Sequence, residues 1–193
     1  MILAIDTSSA CSAVALVKPG GGVAHEELAA SGPAFDLPSR YRALMGGAAL
    51  TGVAVATGPG SFTGLRVGVS FGLGLAIGLR IPIYPLPTLR LQAARSDAPV
   101  LAVSEAGRGR VYHLAPGGAT ALGEASELPR EWPAVGWLRD STRAALEAGG
   151  IRFAGEDDLR TFGEAAAILL ETAREVTYGS VEIEYMQSFR ARG

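Results

Sequence analysis

The feature that most constrains the fold of this chain is a long apolar run, Phe62 to Leu79, which follows the glycine-rich segment Gly58 to Ser61. From Gly64 onward, only Arg66 and Ser70 are polar in this run. A short β-branched segment, Thr51 to Thr57, precedes the glycines and predicts a buried strand. The order predicts a strand, a tight turn and a helix that is buried over most of its surface.

Small residues recur at every fourth position of this predicted helix: Gly64, Gly68, Gly72 and Ala76. They form one smooth ridge, and because each interior glycine costs roughly 1 kcal/mol relative to alanine, another backbone is expected close to it. Two interpretations stay open, namely packing on the chain's own sheet and packing against a partner helix. The second places the leucine-rich faces on the sheet, and it predicts that Gly68→Leu or Gly72→Leu blocks pairing and leaves a folded monomer. A membrane span is a third interpretation, which Arg66 and the glycines disfavour.

The composition is that of a globular protein. The 193 residues are 48% hydrophobic and 19% charged, so a substantial core is expected and disorder is excluded. The net charge of −2 argues against a stand-alone nucleic-acid binder, because such domains are usually basic. Cys11 is the single cysteine, which excludes an internal disulfide and is typical of a reducing compartment. The sequence therefore predicts a cytoplasmic location.

The first half of the chain reads as one lobe. Ile2 to Ile5 predicts a strand that ends at Asp6, Thr7 and Ser8. A carboxylate and hydroxyls at a strand end are suited to phosphate or a metal, and equally suited to an Asx-type turn. Two further antiparallel strands, a helix, a strand, the long helix and another strand follow. This order is typical of a ribonuclease-H-like half.

The second half is less regular. Ser96 to Pro99 predicts a boundary, which gives an N-terminal lobe over residues 1–98 and a smaller lobe over 99–193. A helix is expected from Asp140 or Ser141 to Ala148, and a longer one from Asp157 to about Val176.

The sequence does not match common phosphate-binding and zinc-binding motifs. The Gly58 to Gly64 segment has no lysine for a phosphate-binding G-x-x-x-x-G-K-[ST] loop, and it also departs from G-x-G-x-x-G. His25 and His113 are the only histidines and lie too far apart in sequence to indicate a zinc site. We therefore predict no catalytic residue and no metal ligand.

Two motifs carry a family resemblance. Asp6-Thr-Ser-Ser9 and Gly58-Pro-Gly-Ser-Phe-Thr-Gly-Leu-Arg66, followed by Ile81 to Thr88, resemble the bacterial TsaB (YeaZ) family. The similarity is strong from Met1 to about Leu91 and weaker beyond, where Glu105 to Tyr112 is similar to a further family segment.

This resemblance implies an α/β protein with an actin-like ATPase (ribonuclease-H-like) fold, in which two lobes hold mixed sheets flanked by helices. It implies a non-catalytic scaffold subunit in the synthesis of N6-threonylcarbamoyladenosine in tRNA, with no cofactor of its own. The expected partners are a TsaD-type subunit that carries ATP and a metal, a TsaE-type ATPase, a second copy of the chain, and tRNA through the complex. The partner face would be built from helices over 34–45 and 62–79. Its expected residues are Leu37, Tyr41, Phe62, Gly64, Leu65, Gly68, Gly72 and Ala76.

Two other functions stay in view. The first is an ATP-binding transferase or kinase of the actin-like superfamily, in which Asp6, Thr7 and Ser8 would face the phosphates. The second is a metallopeptidase, which the separation of His25 and His113 disfavours.

Overall fold

The computed structural model describes residues 1–32, 35–47 and 49–184. The first sheet contains five strands: β1 (Ile2–Asp6), β2 (Cys11–Val17), β3 (Val23–Ala30), β4 (Gly52–Ala56) and β5 (Ile83–Leu86). Their order across the sheet is β3-β2-β1-β4-β5. The first three strands pair antiparallel, and β1, β4 and β5 pair parallel. The three predicted antiparallel strands and the order of the elements that follow them are confirmed.

Three helices occur in the same part of the chain: α1 (Leu37–Met45), α2 (Phe62–Leu79) and α3 (Thr88–Ala93). The bounds of α2 are those that the apolar run predicts. Ser61 caps it, since its side chain accepts a hydrogen bond from the Gly64 N–H at 3.3 Å. Asp36 caps α1; the predicted start of that helix at position 34 lies outside the described residues.

The second sheet contains four strands: β6 (Leu101–Gly107), β7 (Arg110–Leu114), β8 (Ala121–Gly123) and β9 (Ala134–Val135). Their order is β8-β7-β6-β9, and α4 (Asp140–Ala148) follows them. The strands β6 and β7 form a hairpin, and the helix α4 agrees with the sequence prediction. The strand β8 lies in an alanine- and glycine-rich stretch.

The last helix, α5 (Phe162–Leu170), corrects two predictions. It begins after Thr161, which forms a capping box with Glu164, and residues 156–158 form a separate short 3₁₀ turn. The helix predicted from Asp157 to Val176 is therefore too long at both ends. Its position also differs from the prediction, because the Gly163 N–H donates to Glu26 on β3 at 2.7 Å. The predicted second lobe over 99–193 is wrong for residues 162–170, which pack on the first sheet.

The first sheet is covered on both faces because alternate side chains of each strand point in opposite directions. On one face, α1 and α2 cover Leu3, Ile5, Val53 and Val55. On the other, α5 covers small residues of the central strands, such as Ala4, Ala13 and Ala54. We call this sheet with α1, α2 and α5 the first lobe, and the four-stranded sheet with α4 the second lobe; α3 lies between them, packed on α5 and on β6 and β7.

Candidate functional site

The small-residue ridge of α2 faces the chain's own first sheet. A methyl group added at Gly68 would come within 2.5 Å of Thr7 Oγ1. Added at Gly64 it would collide with the Thr7 carbonyl oxygen, and at Gly72 with the Val55 side chain on β4. The prediction that this ridge meets a partner helix is wrong. The physical reason is that glycine lets α2 lie so close to β1 and β4 that no side chain fits between them.

The opposite surface of α2 is apolar and exposed. Phe62, Val67 and Ile77 are each about half exposed there, at 49% to 50%, and Leu79 is 49% exposed at the C-terminal end of the helix. Only 28% of the residues of this helix are buried. Ser70, Gly74 and Gly78 form a second stripe of small residues there, and nothing lies within 4 Å of a methyl group added at either glycine.

Helix α1 extends this surface. The ring of Tyr41 meets Phe71 of α2 edge-on, with 6.0 Å between ring centroids and 72° between planes. Both rings are half-buried. We define the α1–α2 face by Tyr41, Phe62, Val67, Phe71 and Ile77.

The eight residues that the sequence assigns to a partner interface separate into two groups. Phe62 and Tyr41 lie on the α1–α2 face, and Gly64 is partly exposed. The other five are buried within the chain and are not available to a partner: Leu37, Leu65, Gly68, Gly72 and Ala76. The sequence analysis missed Val67, Ile77 and the Ser70, Gly74 and Gly78 stripe, although that stripe has the same four-residue spacing.

The turn after β1 uses its polar groups within the chain. Asp6 and Ser8 are fully buried, and Asp6 Oδ1 accepts a hydrogen bond from the Ser8 N–H at 2.8 Å. Thr7 donates its hydroxyl to the Gly64 carbonyl oxygen at 2.6 Å, and the Ser8 carbonyl accepts from the Ser61 N–H at 2.7 Å. The turn thus holds the start of α2 in place. The Asx-type turn, one of the two uses open from the sequence, is present.

Burial shifts the pKa of Asp6. Loss of solvation raises the pKa of its carboxyl group above the ordinary value, and the hydrogen bonds from Ser8 oppose this shift. Among the described residues, its second oxygen, Oδ2, has no hydrogen-bond partner.

A cleft lies between the lobes beside this turn. Thr7, Ser12 and Thr63 line it from the first lobe, and Glu105 and Arg139 from the second. Its buried polar side chains are bonded to the protein. Ser12 Oγ lies 2.6 Å from Ser31 Oγ, and the Glu105 carboxylate accepts from the Arg139 N–H at 2.9 Å.

The two histidines lie on different sheets, His25 on β3 and His113 on β7. Within residues 1–32, 35–47 and 49–184, no three His, Cys, Asp or Glu side chains are grouped to hold a metal ion. In the same part of the chain, α2 is the one helix that is long and apolar enough to cross a membrane, a test that core helices also pass.

Two lobes, each built on a mixed sheet with flanking helices, define an actin-like ATPase fold of the ribonuclease-H-like type. The solved structure of YeaZ from Pseudomonas aeruginosa has this fold. It superposes with a TM-score of 0.72 over 96% of this chain and 99% of that one, at 20% sequence identity.

The resemblance to the TsaB (YeaZ) family is confirmed over about half of the chain. The protein named tRNA threonylcarbamoyladenosine biosynthesis protein TsaB from Escherichia coli is 35% identical over 58% of this chain and 52% of its own length. The protein of the same name from Bacillus subtilis is 34% identical over the same shares. The family model for TsaD, tRNA N6-adenosine threonylcarbamoyltransferase, matches residues 41–131. The chain spans about half the length of the curated relatives it matches.

Proposed function

We propose that this chain is a scaffold subunit of the system that makes N6-threonylcarbamoyladenosine in tRNA, and that it binds a TsaD-type catalytic subunit. The relatives named TsaB support the pathway. The observation that carries the scaffold role is the α1–α2 face, whose apolar side chains Phe62, Val67 and Ile77 on α2 are each about half exposed. An exposed apolar patch of this kind is typical of an interaction surface.

The proposed partner surface differs from the one that the sequence indicated. The partner would contact Val67, Ile77 and the outer stripe of Ser70, Gly74 and Gly78. Small residues on that stripe allow a partner helix to approach closely, and the flanking Phe71 and Ile77 supply apolar area to bury. A second copy of the chain would use the same face, so a homodimer and the TsaD-type complex would exclude each other.

In this proposal the chain contributes no catalytic residue. ATP and a metal ion would be bound by the TsaD-type subunit, a TsaE-type ATPase would join the pair, and tRNA would be contacted through the complex in the cytoplasm.

The test is co-purification with the TsaD-type subunit of the same organism. We expect Val67→Asp combined with Ile77→Asp to abolish binding, because a partner would then have to desolvate two carboxylates against an apolar surface. The matched control is Ile168→Asp on α5, where the side chain is 38% exposed and lies away from the α1–α2 face.

A control variant that retains binding while the double variant loses it supports the proposal. Equal binding by all three proteins would contradict the assigned surface. Absence of binding by the unaltered chain would contradict the scaffold role itself.

The alternative of an ATP-binding transferase or kinase draws on the cleft between the lobes. The hydrogen bonds within the turn at Asp6 argue against it, because a phosphate would have to displace the Gly64 carbonyl from the Thr7 hydroxyl.

A further inference from the structure

Two short segments connect the lobes, and both lie next to buried charge. The chain leaves the first lobe through Ser96 to Pro99 and returns through residues 154–161. In lobed proteins, motion of one lobe against the other requires a few residues of such connections to change their backbone angles.

We propose that Arg95 and Arg160 clamp these two connections together and hold the second lobe at a fixed position relative to the first. This inference does not depend on the proposed function. Each arginine binds the backbone of the other's segment. Arg95 Nε donates to the Arg160 carbonyl at 3.2 Å, and the Arg160 N–H donates to the Arg95 carbonyl at 2.7 Å.

The side chain of Arg95 is enclosed on every side. It is 5% exposed, and its guanidinium forms an ion pair with Glu156 and donates to Gln92 Oε1 at 3.4 Å. The guanidinium carbon also lies 4.8 Å from the centre of the Trp137 ring. A buried guanidinium is stable only when its donors are satisfied. Here they are satisfied by Gln92 on α3 and by Glu156 and Arg160 of the returning connection, while the Trp137 ring packs against the guanidinium.

Arg160 closes the arrangement from the other side. It donates to the Ala94 carbonyl at 3.1 Å and forms an ion pair with Asp97, so it binds residues on either side of the point where the outgoing connection begins. Trp137, against which Arg95 packs, accepts a hydrogen bond at its carbonyl from the Ala10 N–H at 3.3 Å. A change of backbone angles in either connection would therefore break bonds to the other.

The clamp fixes the width of the cleft that Thr7 lines from the first lobe and Glu105 and Arg139 from the second. Proteins that close their lobes on a nucleotide need a hinge that moves. This chain instead presents both lobes to its surroundings as one rigid body.

The test measures the distance between the lobes. Spin labels are placed at Lys18→Cys in the first lobe and Ser126→Cys in the second, with Cys11→Ser to leave no other thiol; Lys18 and Ser126 are exposed. The clamp is opened by Glu156→Gln together with Arg160→Met. These sites are chosen because Glu156 is 55% exposed and Arg160 28%, so both substitutions are compatible with folding. Arg95→Lys is a second variant, which retains the charge and loses the planar fork.

The matched control is Glu147→Gln, which removes the exposed ion pair between Arg143 and Glu147 on α4, 3.0 Å apart. We expect a single narrow distance distribution for the unaltered chain and the control, and a broadened one for the folded clamp variants. The amide of Arg160 should also exchange with solvent about tenfold faster when the clamp is open. Folded clamp variants with an unchanged distribution and unchanged exchange would overturn the proposal.

Discussion

At the scale of single residues, Asp6 shows how one buried carboxyl group shapes the turn after β1. It is fully buried, and one oxygen accepts the Ser8 N–H while burial raises the pKa of the group. The folded state therefore favours the protonated carboxyl group. As the pH rises above the pKa of Asp6 in the unfolded chain, this group lowers the free energy of unfolding. In this turn, the Oδ1 atom of Asp6 orients the backbone N–H of Ser8.

We expect Asp6→Asn to stabilise the protein at neutral pH. The amide oxygen retains the bond from Ser8, and the cost of burying a charge disappears. The gain should be present at pH 7 and should vanish in acid, where the carboxyl of the unaltered chain is protonated in both states. Urea unfolding of both proteins from about pH 3, below the ordinary pKa of an aspartic acid, to about pH 8 measures this difference. A gain that does not depend on pH would contradict the assignment of the shift to burial.

The partners of these polar residues could not be predicted from the sequence. The Thr7 hydroxyl binds a carbonyl 57 positions away, and Arg95 pairs with Glu156 61 positions away. No local pattern marks such pairs. The Asx-type turn at Asp6 was predictable from the sequence, because it depends on residues two positions apart, and the structure shows it.

At the scale of elements, α2 was predicted with the correct bounds and the wrong orientation. The capping serine and the apolar run are local signals, so they place the helix at Phe62–Leu79. Two stripes of small residues run along it, however, and sequence spacing alone does not say which one meets the sheet. The close approach of Gly68 to Thr7 and of Gly72 to Val55 decides this, and it depends on the distance between helix and sheet.

A matched pair of substitutions separates the two stripes. Gly72→Leu should destabilise the protein by about 3 kcal/mol or more, because its side chain would be forced against Val55. Gly74→Leu should leave stability equal or up to about 1 kcal/mol higher, since the site is open and leucine is the better helix former.

Urea unfolding measures both changes. Co-purification with the TsaD-type subunit should be lost for Gly74→Leu although that variant is folded. A stable Gly72→Leu variant would contradict the packing of α2 on the first sheet.

At the scale of the whole molecule, the sequence predicted two lobes and the change of sheet near residue 98, but not the return of the chain. Helix α5 packs on β2 through residues such as Phe162, whose partners Ala13 and Ala15 lie far away in sequence. In the sequence, the buried face of α5 is an ordinary stripe of apolar residues, and such a stripe could pack on either sheet. Small residues on both surfaces allow the close contact with the first sheet, and that match becomes visible only in three dimensions.

The turn at Asp6, the cleft between the lobes and the clamp formed by Arg95 and Arg160 together predict how the whole chain behaves towards ATP. A phosphate at the Thr7 hydroxyl would compete with the hydrogen bond that holds the start of α2, and closure of the lobes on a nucleotide would require the clamp to open. We therefore expect the isolated chain to show no saturable ATP binding by calorimetry at millimolar ATP and magnesium, and no ATP hydrolysis. The TsaD-type subunit under the same conditions is the positive control. Saturable binding that is weakened by Thr7→Val or Arg139→Ala would place a nucleotide in the cleft, and it would favour the ATP-binding transferase over the scaffold.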